Sequence, residues 1–503
     1  MPERARRSLD AALVRGVAWT GAASWIAQIL TWASTLVVVR LLSPDDYGLV
    51  ALSAVYLGLA SMLSEFGIGT TVVTVRSLST GQIAQLNTVA VLLAGAGVGV
   101  SWALAGPVSE FFVSPRLVIL IRVMSAALVL SSAGSVSSAV LQKALRFRLL
   151  AAVQIVQSLS AAATTLVLAL LGAGYWALAI GPMVGQGVMS ALTVAAAPCG
   201  YARPVWPTLR PALRFSRRVI IERLCWYLYT GSDRLVIGRW IGEAAVGLYS
   251  IGSTFGMLAV EKVTTLMLRV APAVFSEVQT NPAALLRYLL SMTEGLAILT
   301  FPISIGLALV AEDLVPLAFG EQWRGAIAPL QILGIFGAYQ SVTALLSRIL
   351  AAVGDVRYTM YVAMLALATM PIAFIVGSRW GLVGVASAWL IAYPFTQAPM
   401  YFRLHQRIRL TAAAYLRSLW PAVSAVLLMT AVVWLLQQVP AADALPRAGR
   451  LALTVCVGAM SYILAMLLFH WDRIRRFQEL MREIRHRREA PREEPAAQSA
   501  HAT

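Results

Sequence analysis

Arg223, Tyr227, Thr230 and Arg234 recur at i, i+4, i+7 and i+11 inside an otherwise apolar stretch. On a helix this spacing makes one face over three turns, about 16 Å long at 1.5 Å per residue. Two guanidiniums on one face would offer fixed, always charged, bidentate donors suited to phosphate oxygens. Tyr and Trp beside them would serve sugar rings. A second stripe, Glu222, Trp226, Tyr229 and Asp233, runs next to the first, and the following apolar stretch adds Glu261 and Lys262. Glu65 and Glu294 lie near the ends of two further stretches. The candidate substrate-binding residues are therefore Arg223, Arg234, Lys262, Arg122, Tyr227 and Gln28, and the candidates for ion coupling are Glu222, Asp233 and Glu261. The competing reading pairs Arg234 with Asp233 or with a neighbouring helix, Arg223 with Glu222 and Lys262 with Glu261, all as structural bridges, although buried pairs often add little net stability. Both readings keep these groups off the lipid, because a charge at mid-bilayer costs roughly 2.5–3.5 kcal/mol.

Other chemistries find little support. His405, His470, His486 and His501 fall in connections or the tail, and Cys199, Cys225 and Cys456 lie far apart without metal-ligand spacing. A disulfide framework or zinc site is not expected. The chain has no G-x-x-x-x-G-K-[ST] pattern, so ATP hydrolysis is not expected of it. No cofactor is implied. A glycan ligase or polymerase would carry its catalytic groups on a sizeable external loop, and no stretch between the apolar segments is long enough for one.

The elements that position these residues must cross a membrane. The chain has 503 residues, 59% hydrophobic and 13% charged, with mean hydropathy +0.75. A soluble domain averages about 45–50% apolar and about 25% charged. At roughly 20 apolar residues per crossing, fourteen segments qualify: 16–39, 47–66, 83–106, 117–140, 150–171, 175–196, 216–239, 247–269, 289–311, 326–348, 358–377, 382–402, 415–437 and 449–470. The first follows Arg4, Arg6, Arg7 and Arg15 but runs past twenty residues, so it reads as a retained helix and not a cleaved signal peptide.

Net charge is +17, carried by 38 Arg against Lys143 and Lys262. The excess reads as Arg massed at cytoplasmic helix ends, not as a nucleic-acid surface. With both termini in the cytoplasm, 29 of the 40 basic residues are cytoplasmic, 7 external and 4 embedded (Arg122, Arg223, Arg234 and Lys262). This bias fixes the direction and supports the even number of crossings. The expected organisation is a basic N-terminus (1–15), a six-helix bundle (16–196), a basic linker (197–215), a second six-helix bundle (216–402) and two further helices (403–470). The remainder (471–503) is expected to be a basic amphipathic helix on the inner membrane surface followed by a disordered tail.

The bundles follow from an internal repeat. Leu36 to Leu49 aligns without gaps on Leu235 to Leu248, with Leu36/Leu235, Val37/Val236, Arg40/Arg239, Gly48/Gly247 and Leu49/Leu248 identical. The offset of 199 carries the first segment onto the seventh. Both halves then keep one orientation about an axis along the membrane normal. It also matches the cationic stripe to a neutral polar one, Ser24, Gln28, Thr31 and Thr35.

Several motifs together resemble the Wzx-type lipopolysaccharide, capsule and exopolysaccharide exporters (flippases) of the multidrug/oligosaccharidyl-lipid/polysaccharide superfamily. They are GVAWTGAASW, RLLSPDDYGLVAL, SEFGIG (Ser64 to Gly69), LQKALRF from Leu141, SDRLVIGRWIGEAAVGLYSIG (Ser232 to Gly252) and VPLAFGEQWRGAIAPLQIL from Val315, in family order over residues 15 to about 360. The resemblance implies an all-α integral membrane protein, two six-helix bundles around a central cavity plus two C-terminal helices. It implies a transporter, not an enzyme, that moves polyprenyl-diphosphate-linked oligosaccharide from the inner to the outer leaflet of the bacterial cytoplasmic membrane. Asp233, Arg234 and Arg239 occupy positions where that family commonly carries polar or charged residues. The resemblance leaves open a polysaccharide polymerase and assembly proteins as partners. A drug or cation antiporter of the same superfamily, expected to have an acidic cavity, remains the alternative, with the ligase or polymerase behind it.

Overall fold

The computed structural model describes residues 28, 30–65, 68–75, 78–205, 224–440 and 445–473. These form helices and connections, with no strand among the described residues. In chain order the helices are α1 (Leu30–Leu41), α2 (Pro44–Glu65), α3 (Ile68–Thr74), α4 (Thr80–Phe112), α5 (Arg116–Met124), α6 (Ala126–Lys143), α7 (Phe147–Leu170) and α8 (Tyr175–Ala196). Then follow α9 (224–240), α10 (Glu243–Gly256), α11 (Leu258–Glu277), α12 (Pro282–Leu309), α13 (Ala311–Ala318), α14 (Ile327–Ala352), α15 (Val356–Gly377), α16 (Gly381–Ile408), α17 (Ala412–Gln437) and α18 (Arg447–Phe469).

Helix starts follow the local sequence. Ser43 and Asp46 bond reciprocally, Ser43 N donating to Asp46 Oδ2 at 3.0 Å and Asp46 N to Ser43 Oγ at 3.2 Å. This capping box, with Pro44 as first helical residue, opens α2. The other oxygen of Asp46 accepts from Tyr175 N at 3.1 Å and so caps α8 as well. Ser79 and Gln82 form a second capping box at α4. Asn281 caps α12 ahead of Pro282.

The chain divides into two compact units. The first holds the described residues up to Gly256 together with Ala311–Phe336 and Arg357–Pro399. At its centre α2 crosses α10. A Cβ on Gly48 would run into the Glu243 carbonyl oxygen, and one on Gly247 into that of Pro44. Only glycine lets the backbones come this close. Pro44 and Glu243, like Gly48 and Gly247, are equivalent at the repeat offset, so the contact is a local two-fold between the aligned segments. The second unit comprises Met257–Val310, Gly337–Val356 and Met400 onwards. There α12, α17 and α18 pack around Ala425, Val426, Met429, Tyr462, Ala465 and Met466, and Tyr462 donates its hydroxyl to Ile298 O at 2.8 Å.

Among the described residues ten helical runs are long and apolar enough to cross a membrane. One, the 52-residue run Arg357–Ile408, contains both α15 and α16, joined by a 3-10 turn at Ser378–Trp380. The multi-pass helical architecture is therefore present, while the count of fourteen remains an expectation. The eighth segment differs from the sequence reading: in place of one helix over 247–269, the chain breaks at Met257 between α10 and α11. The end of α10 is docked on Ala326, Pro329 and Leu330 through Gly252 and Gly256. Beyond it Glu261 and Lys262 are exposed, so the two helices serve different surroundings.

Candidate functional site

The first unit gathers polar groups around α9. Asp233 is buried, 4% exposed, and fully engaged. Its Oδ1 accepts from Arg234 N at 2.6 Å, and its Oδ2 accepts from Tyr249 Oη at 2.9 Å and Trp389 Nε1 at 3.3 Å. The Trp389 indole also donates to Tyr249 Oη at 3.0 Å. Three neutral donors thus hold one carboxylate, a form of charge-assisted bonding that suits a buried ion. Phe336, Phe374 and Tyr393 surround the Trp389 ring, with centroids 5.0, 5.1 and 5.8 Å away.

Arg234 turns elsewhere. Its guanidinium donates to Ser253 Oγ at 3.3 Å, and no carboxylate lies in ion-pair contact with it among the described residues. The Asp233–Arg234 side-chain bridge of the structural reading is therefore not formed. A half-buried guanidinium on a neutral hydroxyl retains most of its five donors for an anion.

Other predicted site residues are spread more widely. Glu222 and Arg223 lie outside the described residues. Tyr227 donates its hydroxyl to Val55 O at 2.9 Å and lines a 200 Å³ apolar pocket with Tyr56, Leu59, Phe111 and Phe112, where it ties α9 to α2. Arg122 is exposed on α5, and its carbonyl accepts from Trp102 Nε1 at 3.3 Å. Gln28 is half-buried at the start of the described chain. Glu261 and Lys262 belong to the second unit.

Residues outside the candidate binding and coupling sets make further contacts in the first unit. Arg40 donates to the carbonyls of Leu317 and Ala318, the latter at 2.9 Å, and so caps the C-terminus of α13. The buried Trp323 donates to Val39 O at 2.9 Å and packs edge-on to Tyr47 at 5.2 Å. Ser114 donates to Glu243 Oε2 at 2.8 Å, and Arg116 stands 3.8 Å from the same carboxylate. Arg239 lies 5.6 Å from the Phe111 ring centroid, a cation–π distance.

A separate cluster marks the second unit. Arg403 and Arg407 each grip Asp355 with two nitrogens, at 2.9 and 3.2 Å and at 2.8 and 2.8 Å respectively. The Arg407 hydrogen bonds, then those of Arg403, hold the Asp355 carboxyl at about 2, below its ordinary 3.8, against the opposing effect of burial. Tyr249 could have been found inside the motif that carries Asp233. Trp389, 156 residues from Asp233, left no local signal.

A family model described as polysaccharide biosynthesis protein matches residues 37–328. Over 430 residues the chain is 26% identical to the lipopolysaccharide biosynthesis protein WzxC of Escherichia coli (strain K12), covering 82% of this chain and 85% of that protein. Among solved structures it superposes on the lipid II flippase MurJ in an inward closed conformation, with TM-score 0.74, 14% identity and coverage of 91% and 99% of the two chains. The inward-facing form of a multidrug resistance MATE family transporter of the MOP superfamily gives TM-score 0.61, 15% identity and coverage of 76% and 96%.

Proposed function

The chain belongs to the polysaccharide biosynthesis protein family, and from that premise we propose that it is a flippase of the bacterial cytoplasmic membrane. It carries polyprenyl-diphosphate-linked oligosaccharide from the cytoplasmic to the outer leaflet by alternating access. The family match and the fold shared with a lipid flippase support a transporter of a saccharide precursor. At residue level the reading is carried by Arg234, whose guanidinium is not spent on Asp233 and rests on a hydroxyl that a phosphate oxygen can replace. Arg122 and Gln28 are further candidates within the same unit, and Arg223, Lys262 and Tyr227 are candidates by sequence position. In the orientation set by the charge bias, the contacts of Arg40, Trp323 and Glu243 lie towards the external side. Release then requires the Arg40, Trp323 and Glu243 contacts to part while the diphosphate moves off Arg234. Polymerase and assembly proteins would receive the product. Deleting the gene should leave lipid-linked oligosaccharide on the inner leaflet, and its normal appearance outside would refute the proposal.

A second reading, a cation-coupled drug antiporter, is favoured by the buried Asp233 and the fold shared with the MATE transporter. It predicts drug resistance on overexpression. The flippase reading predicts none. A ligase or polymerase is disfavoured by the short connections on the external side.

A further inference from the structure

Three segments that the charge bias assigns to the cytoplasmic side meet in the second unit around a cavity of about 380 Å³. Gln279 borders it from the α11–α12 turn, Pro282 and Leu285 from the first turns of α12, Val353 from the α14–α15 connection and Arg407 and Ile408 from the end of α16. Arg407 is half-exposed (47%) and spends Nε and Nη2 on Asp355. Its Nη1 has no acceptor among the described residues. Arg403 grips the same carboxylate and extends its own Nη1 to Gln406 at 3.3 Å. Two guanidiniums on one carboxylate leave a net positive charge, and among the described residues no carboxylate lines the cavity. The N-terminus of α12 is not the anion seat, because Asn281 already accepts from Ala283 N and Ala284 N.

We propose that this cavity seats the phosphate of an anionic phospholipid of the inner leaflet, with Arg407 Nη1 and the Gln279 amide as donors. A guanidinium is the side chain best matched to phosphate oxygens, and a negative leaflet concentrates such lipids at basic sites near the surface. Pro282, Leu285, Val353 and Ile408 give the site an apolar wall. A free phosphate would gain nothing from that wall, whereas the glycerol and first methylenes of a lipid would be covered by it. The Asp355 clamp sets the strength of the site: it orients Arg407 and cancels part of its charge. This site is separate from the Arg234 region and stands or falls independently of the transported substrate.

The test uses the full-length protein, purified in neutral detergent, stripped of lipid and titrated with phosphatidylglycerol, phosphatidylcholine or inorganic phosphate. Retained lipid is counted by native mass spectrometry, and the melting temperature is followed in parallel. Phosphatidylglycerol should bind saturably and raise the melting temperature, and the other two should not. Arg407→Gln should weaken phosphatidylglycerol binding about tenfold or more, the loss of one charge-assisted bond. Asp355→Asn should strengthen it while lowering the melting temperature of the lipid-free protein. A purely structural clamp would move both quantities down together. Unchanged binding in Arg407→Gln, equal retention of phosphatidylcholine, or equal protection by phosphate alone would overturn the proposal. Should Arg407→Gln fail to fold, Asp355→Asn decides alone: binding that is unchanged or weaker overturns it.

Discussion

Gly48 of α2 and Gly247 of α10 face each other across a local two-fold: a Cβ on Gly48 would stand 3.1 Å from Gly247 N, and one on Gly247 would stand 3.0 Å from Gly48 N. Each also faces the carbonyl of the other helix's first turn. Gly48→Ala and Gly247→Ala should therefore cost similar stability, about 1–3 kcal/mol each as for other overpacked contacts. Thermal unfolding in detergent checks this. A large loss for one and none for the other would show that the two halves do not share this contact evenly.

Topology gives a second test. Cysteines placed singly at Asp45, Glu312 and Asp443 should react with an impermeant thiol reagent in intact cells, and those at Ser79 or Thr208 should not. Labelling at Thr208 would reverse the assigned orientation.

Helical class and the matched glycines were legible in the sequence, because apolar segments at membrane length and an ungapped offset of 199 residues are visible in one dimension. That Gly48 and Gly247 touch was not, since an alignment relates positions without placing them together. Asp233 and Arg234 were readable as embedded charges, but their division of labour depends on Tyr249, Ser253 and Trp389, which only the fold assembles. Tyr227 looked like a cavity residue by its spacing, and the structure uses its hydroxyl on a backbone carbonyl of α2. Arg403 and Arg407 served the sequence reading only as topology markers, since nothing local ties them to Asp355.

The carboxylate of Asp233 accepts three hydrogen bonds, and an amide cannot reproduce them, because its NH2 would face donors. Asp233→Asn should lower stability by about 1–3 kcal/mol, the cost of an unsatisfied buried group, and Tyr249→Phe by about 1 kcal/mol. Both are read from unfolding curves. If Asp233 also carries the coupling ion, export by its amide variant should no longer depend on the ion gradient. If the amide variants of Glu222, Asp233 and Glu261 each keep gradient-dependent export, coupling lies elsewhere.

The Asp355 clamp predicts a specific pH profile. The folded carboxyl titrates at about 2, below its ordinary 3.8, so its pairing contributes fully above the unfolded value and is lost as pH falls through the folded one. The difference in melting temperature between the natural protein and Asp355→Asn should be flat above about pH 5 and should close between about pH 4 and pH 2. A difference that persists unchanged at pH 2 would assign the effect to something other than the ion pair.

The most direct test of the account follows the lipid-linked oligosaccharide itself, by the reactivity of its sugar with an impermeant probe in right-side-out vesicles. Arg223→Ala and Arg234→Ala, each expressed at normal abundance, should lower the rate at which the sugar becomes reachable from outside by roughly one to two orders of magnitude, the worth of one charge-assisted bond of about 1.5–3 kcal/mol. Arg→Lys should recover part of the rate, because charge survives while the bidentate fork is lost, and Arg→Gln should recover little. A stably expressed Arg223→Ala/Arg234→Ala double variant should leave the sugar unreachable; normal outward appearance of the sugar in that variant would contradict the account.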